Sequence, residues 1–299
     1  MKKLTFALVA LLLVFAAACG SKNDKELSNA PASSAPASSD APSVSPNASP
    51  SESTSAEAPK EPKKIVVGTG SKFPQVAFLD ENGKLTGYDV ELVREIDKRL
   101  PEYEFELQVL DFTNILLSLE TKKIDLAAHE FEKNPEREAK YLFNKEPYAH
   151  WKNKIIVAKD NNDPIESLDD LKGKKVYTTA TSAEAQIFEN YNKEHDNAIK
   201  IVYSNGGSSD LVQQLTSGRA YASIGADFVL PILDPEGKLK TVGKELSESD
   251  ILFLFRKNDP DQQALADAVD RAIVEIRADG TLSALSKKWL GFDATVSEK

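Results

Sequence analysis

The chain has 299 residues, and its 37 basic and 47 acidic side chains give a formal net charge of −10. It contains a single methionine, Met1, and a single cysteine, Cys19. One cysteine excludes an intrachain disulfide, a four-thiolate zinc site and a CxxC redox pair. The acidic surplus argues against a nucleic-acid-binding protein, which needs basic residues to neutralise phosphates.

The N-terminus has the pattern of a secretory signal peptide, which we place at residues 1–18. Lys2 and Lys3 precede a fifteen-residue, almost entirely apolar stretch that ends in three small residues at Ala18. A membrane-spanning helix needs about 20 apolar residues. The stretch is therefore too short to span a bilayer and is better explained as a signal.

Cys19 follows directly and, with Gly20, resembles the lipobox of bacterial lipoproteins, in which the cysteine becomes the lipid-bearing N-terminus. Ala16 departs from that pattern, because lipoboxes usually carry leucine there. The chain nevertheless places its only thiol at this position. We therefore expect an extracytoplasmic protein that is anchored to the cell membrane by lipid on Cys19 and not by a spanning helix.

Residues 19–61 are predicted to form a disordered linker behind the anchor. Residues 30–59 contain ten Ser, eight Ala and six Pro, and no aromatic residue. Such a segment cannot bury enough apolar surface to offset the entropy lost on ordering. The folded body is then expected to begin at residue 62.

Strands and helices alternate along this body. Strands are predicted at 64–68, 104–110, 124–128, 154–158, 175–179, 199–203, 221–224 and 251–255. Helices are predicted at 88–100, 112–122, 181–191, 210–218, 261–278 and 282–289, and Asn82-Gly83 is typical of a hairpin turn. The alternation indicates an α/β protein with mainly parallel sheets in two lobes. The first lobe comprises 62–150 and 251–299, and the second comprises 151–250.

Several enzyme and metal motifs can be tested and rejected. The glycine-rich segment 68–72 fails both nucleotide-binding templates, so a turn after a strand is the better interpretation. His129, His150 and His195 lack any short metal-ligand spacing. No GxSxG motif occurs, and the body has no cysteine. We therefore predict neither an enzyme nor a metal or other cofactor.

Anion binding has more support, beginning with the segment after the strand 175–179. Thr181 and Glu184 have the spacing of a capping box, which would place free amides and the Ser182 hydroxyl at the positive end of a helix. Such a helix end suits a carboxylate. A purely structural cap is the alternative.

A second helix start lies at Asn134, with Pro135 in the first turn. Arg137 in this helix is either a surface charge or a carboxylate ligand, for which arginine is the best-shaped side chain. Phe73 and Phe112, each in a turn after a strand, are either core residues or walls of a cleft. Each of these patterns is open to two interpretations when taken alone.

Taken together, the motifs resemble the extracellular solute-binding proteins of polar amino-acid ABC importers. The resemblance runs from Lys64 to the C-terminus and rests on the segments 65–69, 80–92, 123–126, 135–137, 169–174, 217–219 and 276–282. Residues 133–138 are also similar to the cystine-binding branch. The resemblance implies a two-lobe, periplasmic-binding-protein-like type II fold with the ligand in the cleft between the lobes.

The resemblance also implies roles for individual residues. Arg137 and Ser182 would hold the ligand carboxylate from opposite lobes, and Phe73 and Phe112 would sandwich the ligand body. In the family an acid near the end of the strand 221–224 usually takes the α-amino group. Here that position is an alanine, and Asp227 follows one residue later.

Three further residues depart from the family pattern. His129, Glu130 and Glu132 stand where small polar residues or amides are more usual. Their backbone amides could serve the ligand carboxylate. The two acidic side chains could instead favour a ligand with an extra amino group.

The implied function is the substrate-binding subunit of an ABC importer, which captures a polar L-amino acid, cystine or a related one, by lobe closure. The expected partners are the amino acid, the permease subunits and the membrane, and we expect a monomer that binds no nucleic acid. One alternative is a secreted dehydratase-like enzyme, which would need Glu130 or Glu132 as its catalytic carboxylate. Another is a sensory or adhesive lipoprotein.

Overall fold

A computed structural model describes residues 61–204 and 210–297. The predicted signal peptide, Cys19 and the predicted linker as far as residue 60 lie outside the described residues. Across the described ranges, the structure has no helix with the length and apolar character needed to cross a membrane.

The predicted strands and helices occur in the predicted order, together with further short elements and one long strand that were not predicted. The strands are β1 (Lys63–Thr69), β2 (Lys72–Phe73), β3 (Ala77–Leu79), β4 (Leu85–Thr86), β5 (Tyr103–Val109), β6 (Leu126–Ala127), β7 (Tyr141–Phe143), β8 (Ala149–Ala158), β9 (Lys175–Thr179), β10 (Lys200–Ser204), β11 (Ala222–Ala226), β12 (Leu239–Ile251) and β13 (Leu254–Arg256). The helices are α1 (Tyr88–Arg99), α2 (Phe112–Glu120), α3 (Pro135–Lys140), α4 (Ala183–Glu194), α5 (Leu211–Thr216), α6 (Val229–Leu233), α7 (Pro260–Ala278) and α8 (Thr281–Leu290). A 3-10 turn covers Leu168–Leu171.

Two five-stranded sheets share one topology. The first has the order β5-β1-β6-β13-β7 and the second the order β10-β9-β11-β8-β12. In each sheet the first three strands are parallel, and each of the last two runs antiparallel to its inner neighbour. We call each sheet with the helices packed on it a lobe, the first lobe being built on β1. The two-lobe α/β fold is thus confirmed.

The prediction of mainly parallel sheets is wrong, because both sheets are mixed. All antiparallel pairs in these two sheets involve β13, which pairs with β6 and β7, or β8, which pairs with β11 and β12. Each of these two strands follows a place where the chain passes between the sheets, from β12 to β13 and from β7 to β8. No helix joins the strands at either crossing. The right-handed helical crossover that makes successive strands parallel is therefore missing there.

Helix α1 shows how the sequence builds the core of the first lobe. Val90, Val93 and Ile96 recur at helical spacing and are fully or almost fully buried. The helix packs against α7 and α8, whose apolar faces complete the same hydrophobic cluster. This amphipathic spacing is why the helices of this lobe could be predicted to within one or two residues.

Strand β12 was missed by the sequence analysis. Only Leu239, Ser249 and Ile251 of its thirteen residues are buried, and charged side chains such as Glu245 and Glu248 interrupt the apolar pattern. Pairing with β8 holds it extended, with a register shift between Val242 and Ser247. The single strand predicted at 251–255 is therefore two, because the end of β12 and β13 belong to different sheets.

The cleft lies where the parallel strands of both lobes end. The segments after β1, β5 and β6 in the first lobe, and after β9 and β11 in the second, supply most of the residues around one shared cavity. Parallel sheets characteristically present ligand-binding loops at these carboxyl ends. The fold therefore brings distant segments of the sequence together at a single site.

Candidate ligand-binding cavity

A cavity of about 140 Å³ lies between the two lobes. Six of the seven predicted ligand-binding residues line it, and these are Arg137, Ser182, Phe73, Phe112, Glu130 and Glu132. They come from both lobes, and Phe73 and Ser182 are more than one hundred positions apart in the sequence. Binding groups and apolar walls therefore face a common space.

Arg137 enters the cavity from helix α3. Asn134 caps this helix as predicted, because its side-chain oxygen accepts a hydrogen bond from the Arg137 amide at 2.9 Å. The guanidinium is buried, donates to the Glu132 carbonyl at 2.8 Å and lies 5.1 Å from the centre of the Phe131 ring. Burial lowers the pKa of Arg137, and the nearby carboxylates oppose that change. The side chain is thus a fixed cation facing the ligand space.

Ser182 stands at the start of helix α4 on the opposite lobe. Its hydroxyl oxygen accepts a hydrogen bond from the Ala185 amide at 3.1 Å, so Ser182 and not Thr181 is the capping residue. The predicted Thr181–Glu184 capping box is therefore wrong by one position. Thr181 instead takes a left-handed backbone conformation at φ +67° in the turn before the helix. The predicted hydroxyl at the helix start nevertheless lines the cavity.

Aromatic rings form the apolar walls. The Phe112 ring stacks on Phe131 at 5.7 Å, and the Phe73 ring stacks on Phe228 from the second lobe at 6.3 Å. His129 lies between Phe73 and Phe112, with ring centres 5.9 and 5.4 Å away. Both phenylalanines therefore act as walls of the cleft and also as parts of aromatic clusters.

His129 is held as a neutral acceptor at the base of this wall. The Gly70 amide donates to its Nδ1 at 3.2 Å, and burial lowers its pKa to about 4. A side chain at Gly70 would meet the imidazole at 2.6 Å, so this close approach requires glycine. His150 and His195 lie elsewhere, against Asp250 and Tyr191. Within the described ranges, no group of three potential ligands could hold a metal ion.

Glu132 is hydrogen-bonded to strands β8 and β12, next to the place where the chain passes between the lobes. Its carboxylate accepts hydrogen bonds from Trp151 Nε1 at 3.0 Å, Asn153 Nδ2 at 2.9 Å and Ser249 Oγ at 2.8 Å. These donors belong to β8 and β12. Glu132 also forms a bridge to Ile251. Its oxygens are thus occupied by the protein, which makes Glu132 a structural residue that lines the site.

Glu130 has the opposite environment. Its side chain is 6% exposed and lines the cavity, yet neither carboxylate oxygen has a hydrogen-bond partner within the described residues. Its backbone is left-handed at φ +50°, and its amide donates to Asp89 Oδ2 at 2.7 Å. Burial raises the pKa of Glu130 above its usual range and that of the fully buried Asp89 to about 7.

Trp151, Phe228 and Glu184 are among the lining residues that the sequence did not predict. Trp151 and Phe228 pack with ring centres 5.1 Å apart, and Glu184 projects from the first turn of α4. Burial raises the pKa of Glu184 to about 7. The first two carried no motif, and Glu184 was assigned to a cap, so only their positions after parallel strands or at the crossing could have identified them.

Asp227, the seventh predicted residue, is not among the lining residues. Its neighbours Ala226 and Phe228 both line the cavity, whereas Asp227 is exposed and its amide donates to the Lys152 carbonyl at 3.0 Å. Asp227 and Phe228 lie in the turn after β11, which ends at Ala226. The one-residue offset noted in the sequence therefore places Asp227 past the end of the strand and outside the residues that line the cavity.

The lobes touch across the cleft. Arg137 Nη2 donates to the Thr181 carbonyl at 3.2 Å, and Asn190 Nδ2 of helix α4 donates to Glu136 Oε1 of α3 at 2.8 Å. These contacts and the Phe73–Phe228 stack close the cavity from the first lobe to the second. A charged ligand inside would lose water and would need fixed counter-groups.

Comparison with known proteins gives consistent results. The L-cystine-binding protein TcyK of Bacillus subtilis is 46% identical to the chain over 236 residues, which cover 78% of this chain and 86% of TcyK. The L-cystine-binding protein TcyJ of the same organism is 42% identical over 240 residues, which cover 80% of this chain and 88% of TcyJ. A solved structure from Listeria monocytogenes, provisionally named an L-cystine ABC transporter, is 44% identical at a TM-score of 0.74 and covers 79% of this chain and 100% of that one.

These relatives are binding proteins of transporters, and the chain is accordingly a binding protein and not an enzyme. A family profile matches residues 65–292, which is nearly all of the folded body. It describes proteins that act outside the cytoplasm. The chain belongs to the bacterial extracellular solute-binding proteins, family 3.

Proposed function

We propose that this protein is the substrate-binding subunit of an ABC importer and that its ligand is L-cystine or a closely related polar L-amino acid. The observation that carries the proposal is the buried Arg137 guanidinium, which faces a cavity that the start of helix α4 closes from the other lobe. The identity to two curated L-cystine-binding proteins supports the same ligand.

Binding follows from the charges around the cavity. The ligand carboxylate lies between Arg137 and the Ser182 end of α4, where a guanidinium and a positive helix end both favour an anion. The rings of Phe73 and Phe112 cover the apolar part of the ligand. Because the carboxylate contacts come from both lobes, the ligand favours the closed state. The permease can then distinguish loaded from empty protein by its shape.

The rest of the chain fits delivery at a membrane. Residues 1–18 act as a signal peptide, lipid on Cys19 anchors the mature protein, and residues 19–61 tether the body to the anchor. The body works as a monomer, with 62–150 and 251–299 as one lobe and 151–250 as the other. Mass spectrometry of the protein purified from membranes tests the anchor, because a diacylglycerol-modified Cys19 peptide is expected and an unmodified one contradicts it.

The binding proposal is tested by calorimetric titration of the full-length protein. L-cystine is expected to bind with one-to-one stoichiometry. Arg137→Ala is expected to abolish detectable binding, because the ligand carboxylate would be buried without a counter-charge. Arg271→Ala is a matched control. Arg271 lies on α7 and forms an exposed ion pair with Glu102, so its loss should not affect binding. No binding of L-cystine by the wild type, or unchanged affinity in Arg137→Ala, contradicts the proposal.

A further inference from the structure

The feature that the proposed function leaves unexplained is the side chain of Glu130. It lines the ligand cavity, is 6% exposed, and has both carboxylate oxygens unpartnered among residues 61–204 and 210–297. A buried carboxylate without a partner is costly, and such groups normally pair with a cation or a hydrogen-bond donor. A partner for this group can come from a ligand in the cavity.

The acidic groups around Glu130 further disfavour its ionised form. The carboxylates of Asp89 on α1, Glu132 after β6 and Glu184 on α4 all face it and repel its charge. Arg137 is attracted to Glu132 and Glu184. The cavity guanidinium therefore faces carboxylates other than Glu130.

The balance of charge in the cavity points the same way. Its basic and acidic lining side chains, His129 and Tyr177 aside, are two cations and four carboxyl groups, namely Lys72, Arg137, Asp111, Glu130, Glu132 and Glu184. Lys72 and Asp111 pair with each other at 3.0 Å and cancel. An amino acid with one carboxylate and one ammonium adds no net charge. A ligand with an additional ammonium reduces the excess of negative charge.

The position of Glu130 is also enforced by the fold. Its left-handed backbone, at φ +50°, is a conformation that a residue with a side chain rarely adopts. The buried Asp89 accepts its amide at 2.7 Å, and Tyr148 donates its hydroxyl to the same Asp89 oxygen at 3.1 Å. Such a conformation persists only where the surroundings determine it. The fold therefore fixes an unpaired acid at the wall of the cavity.

We propose that Glu130 receives a second ammonium group of the ligand and that the site thereby selects amino acids with an additional cationic group. This inference rests on the proposed function and deepens it. L-cystine has two ammonium groups, so one of its halves can place its carboxylate on Arg137 while the ammonium of the other half reaches Glu130. Glu130 then supplies the acid for a ligand ammonium, because Asp227 is not among the residues that line the cavity.

The test uses pairs of ligands that differ only in the second ammonium. One pair is L-cystine and the mixed disulfide of L-cysteine with 3-mercaptopropionic acid, and the other is L-lysine and L-norleucine. Calorimetric titrations are made with the wild type, Glu130→Gln and Glu104→Gln. The last is a matched control, because Glu104 is an exposed residue of the edge strand β5.

Glu130→Gln is expected to weaken binding of the diammonium member about 10- to 100-fold, the effect of losing one charged hydrogen bond. It should leave the affinity for the desamino member unchanged. Equal weakening of both members, or of neither, overturns the inference. A wild type that ignores L-cystine but prefers L-lysine to L-norleucine overturns only the proposed ligand, whereas a wild type with no preference within any pair overturns the role of Glu130.

A second measurement excludes a merely structural effect. Because burial raises the pKa of Glu130, a ligand ammonium beside it should release protons on binding near neutral pH. Titrations in buffers of different ionisation enthalpy should show this release for the wild type and less of it for Glu130→Gln. Equal release by the two proteins counts against the inference. A cooperative melting curve of the ligand-free variant checks that it folds.

Discussion

The two lobes share a sheet topology but present different chemistry to the ligand. The first lobe supplies Arg137 and Glu130, which are charged groups held rigidly by caps and buried hydrogen bonds. The second supplies the start of helix α4 at Ser182 and the ring of Phe228. Under the proposed function, selection of the ligand by charge therefore depends mainly on the first lobe, and the second lobe closes the site.

A second contrast lies within the first lobe, between two glutamates only two residues apart. Glu132 has every carboxylate oxygen bonded to the strands at the crossing, and Glu130 has neither oxygen bonded within the described residues. An acid whose oxygens are all hydrogen-bonded within the protein stabilises the fold, whereas a buried acid without partners at a cavity can accept a bond from a ligand. The predictions below separate these roles, from the largest expected effect to the smallest.

Glu132→Ala should have the largest effect on stability. It leaves the donors of Trp151 and Ser249 buried without this acceptor and leaves Asn153 Nδ2 only its bond to Ser247 Oγ. Each buried donor left unsatisfied costs about 1–3 kcal/mol. Urea denaturation measures the loss. Glu138→Ala is the control, because Glu138 makes an exposed ion pair with Lys133 and should change stability by less than about 1 kcal/mol. Similar losses in the two variants contradict a structural role for Glu132.

Glu130→Gln should act in the opposite direction and stabilise the ligand-free protein. Because burial and neighbouring carboxylates raise the pKa of Glu130, the folded state holds its proton more tightly than the unfolded chain. The contribution of Glu130 to stability is complete below its ordinary pKa of 4.5 and is lost as pH rises towards the folded value.

The variant should therefore be more stable than the wild type at pH 7, because a glutamine stays neutral without taking up a proton. Each pKa unit by which the folded value exceeds 4.5, up to pH 7, costs the wild type about 1.4 kcal/mol. Its advantage should shrink at pH 4. Urea denaturation of both proteins at the two pH values measures the difference. A variant that is no more stable at pH 7, or whose advantage is the same at both pH values, contradicts the unpaired state of Glu130.

Ser182→Ala should have a smaller, double effect. Loss of a helix cap costs about 1 kcal/mol of stability, and loss of the cavity hydroxyl should weaken ligand binding as well. Ser167→Ala is a matched control, since Ser167 caps the 3-10 turn at Leu168–Leu171 away from the cavity. It should lose stability without losing affinity. Equal affinities for the two variants contradict a ligand contact at Ser182.

Asn190→Ala should have the smallest effect. It removes the hydrogen bond to Glu136 that joins α4 to α3 across the cleft. A partly exposed contact of this kind contributes less than about 1 kcal/mol, so ligand affinity should fall about two- to fivefold through faster release. Stopped-flow fluorescence measures the release rate. Asn161→Ala, in an exposed turn of the same lobe, should release ligand at the wild-type rate.

The fold was predictable wherever burial imposes a simple period. Helix α1 and strand β9 matched their predicted positions closely, because each has one apolar pattern facing one core. Strand β12 was not predictable, because its exposed charged face hides the pattern and its pairing partner β8 lies more than eighty residues earlier. Long-range pairing of this kind leaves no local signal.

The site was predictable in its residues more than in their roles. The family resemblance pointed to Arg137 and Ser182, and the structure brings both to one cavity. It could not indicate that Glu132 is occupied by strand donors while Glu130 is not, because those donors come from distant segments. The place of Asp227 outside the lining residues likewise depends on where β11 ends and the following turn begins, which the sequence alone left open.

The most direct test of this account is a crystal structure of the complex with L-cystine. It should show one ligand carboxylate on the guanidinium of Arg137 and one ligand ammonium on the carboxylate of Glu130, each within about 3.2 Å. A complex in which Arg137 contacts no carboxylate, or in which Glu130 faces only water or the ligand disulfide, would contradict it.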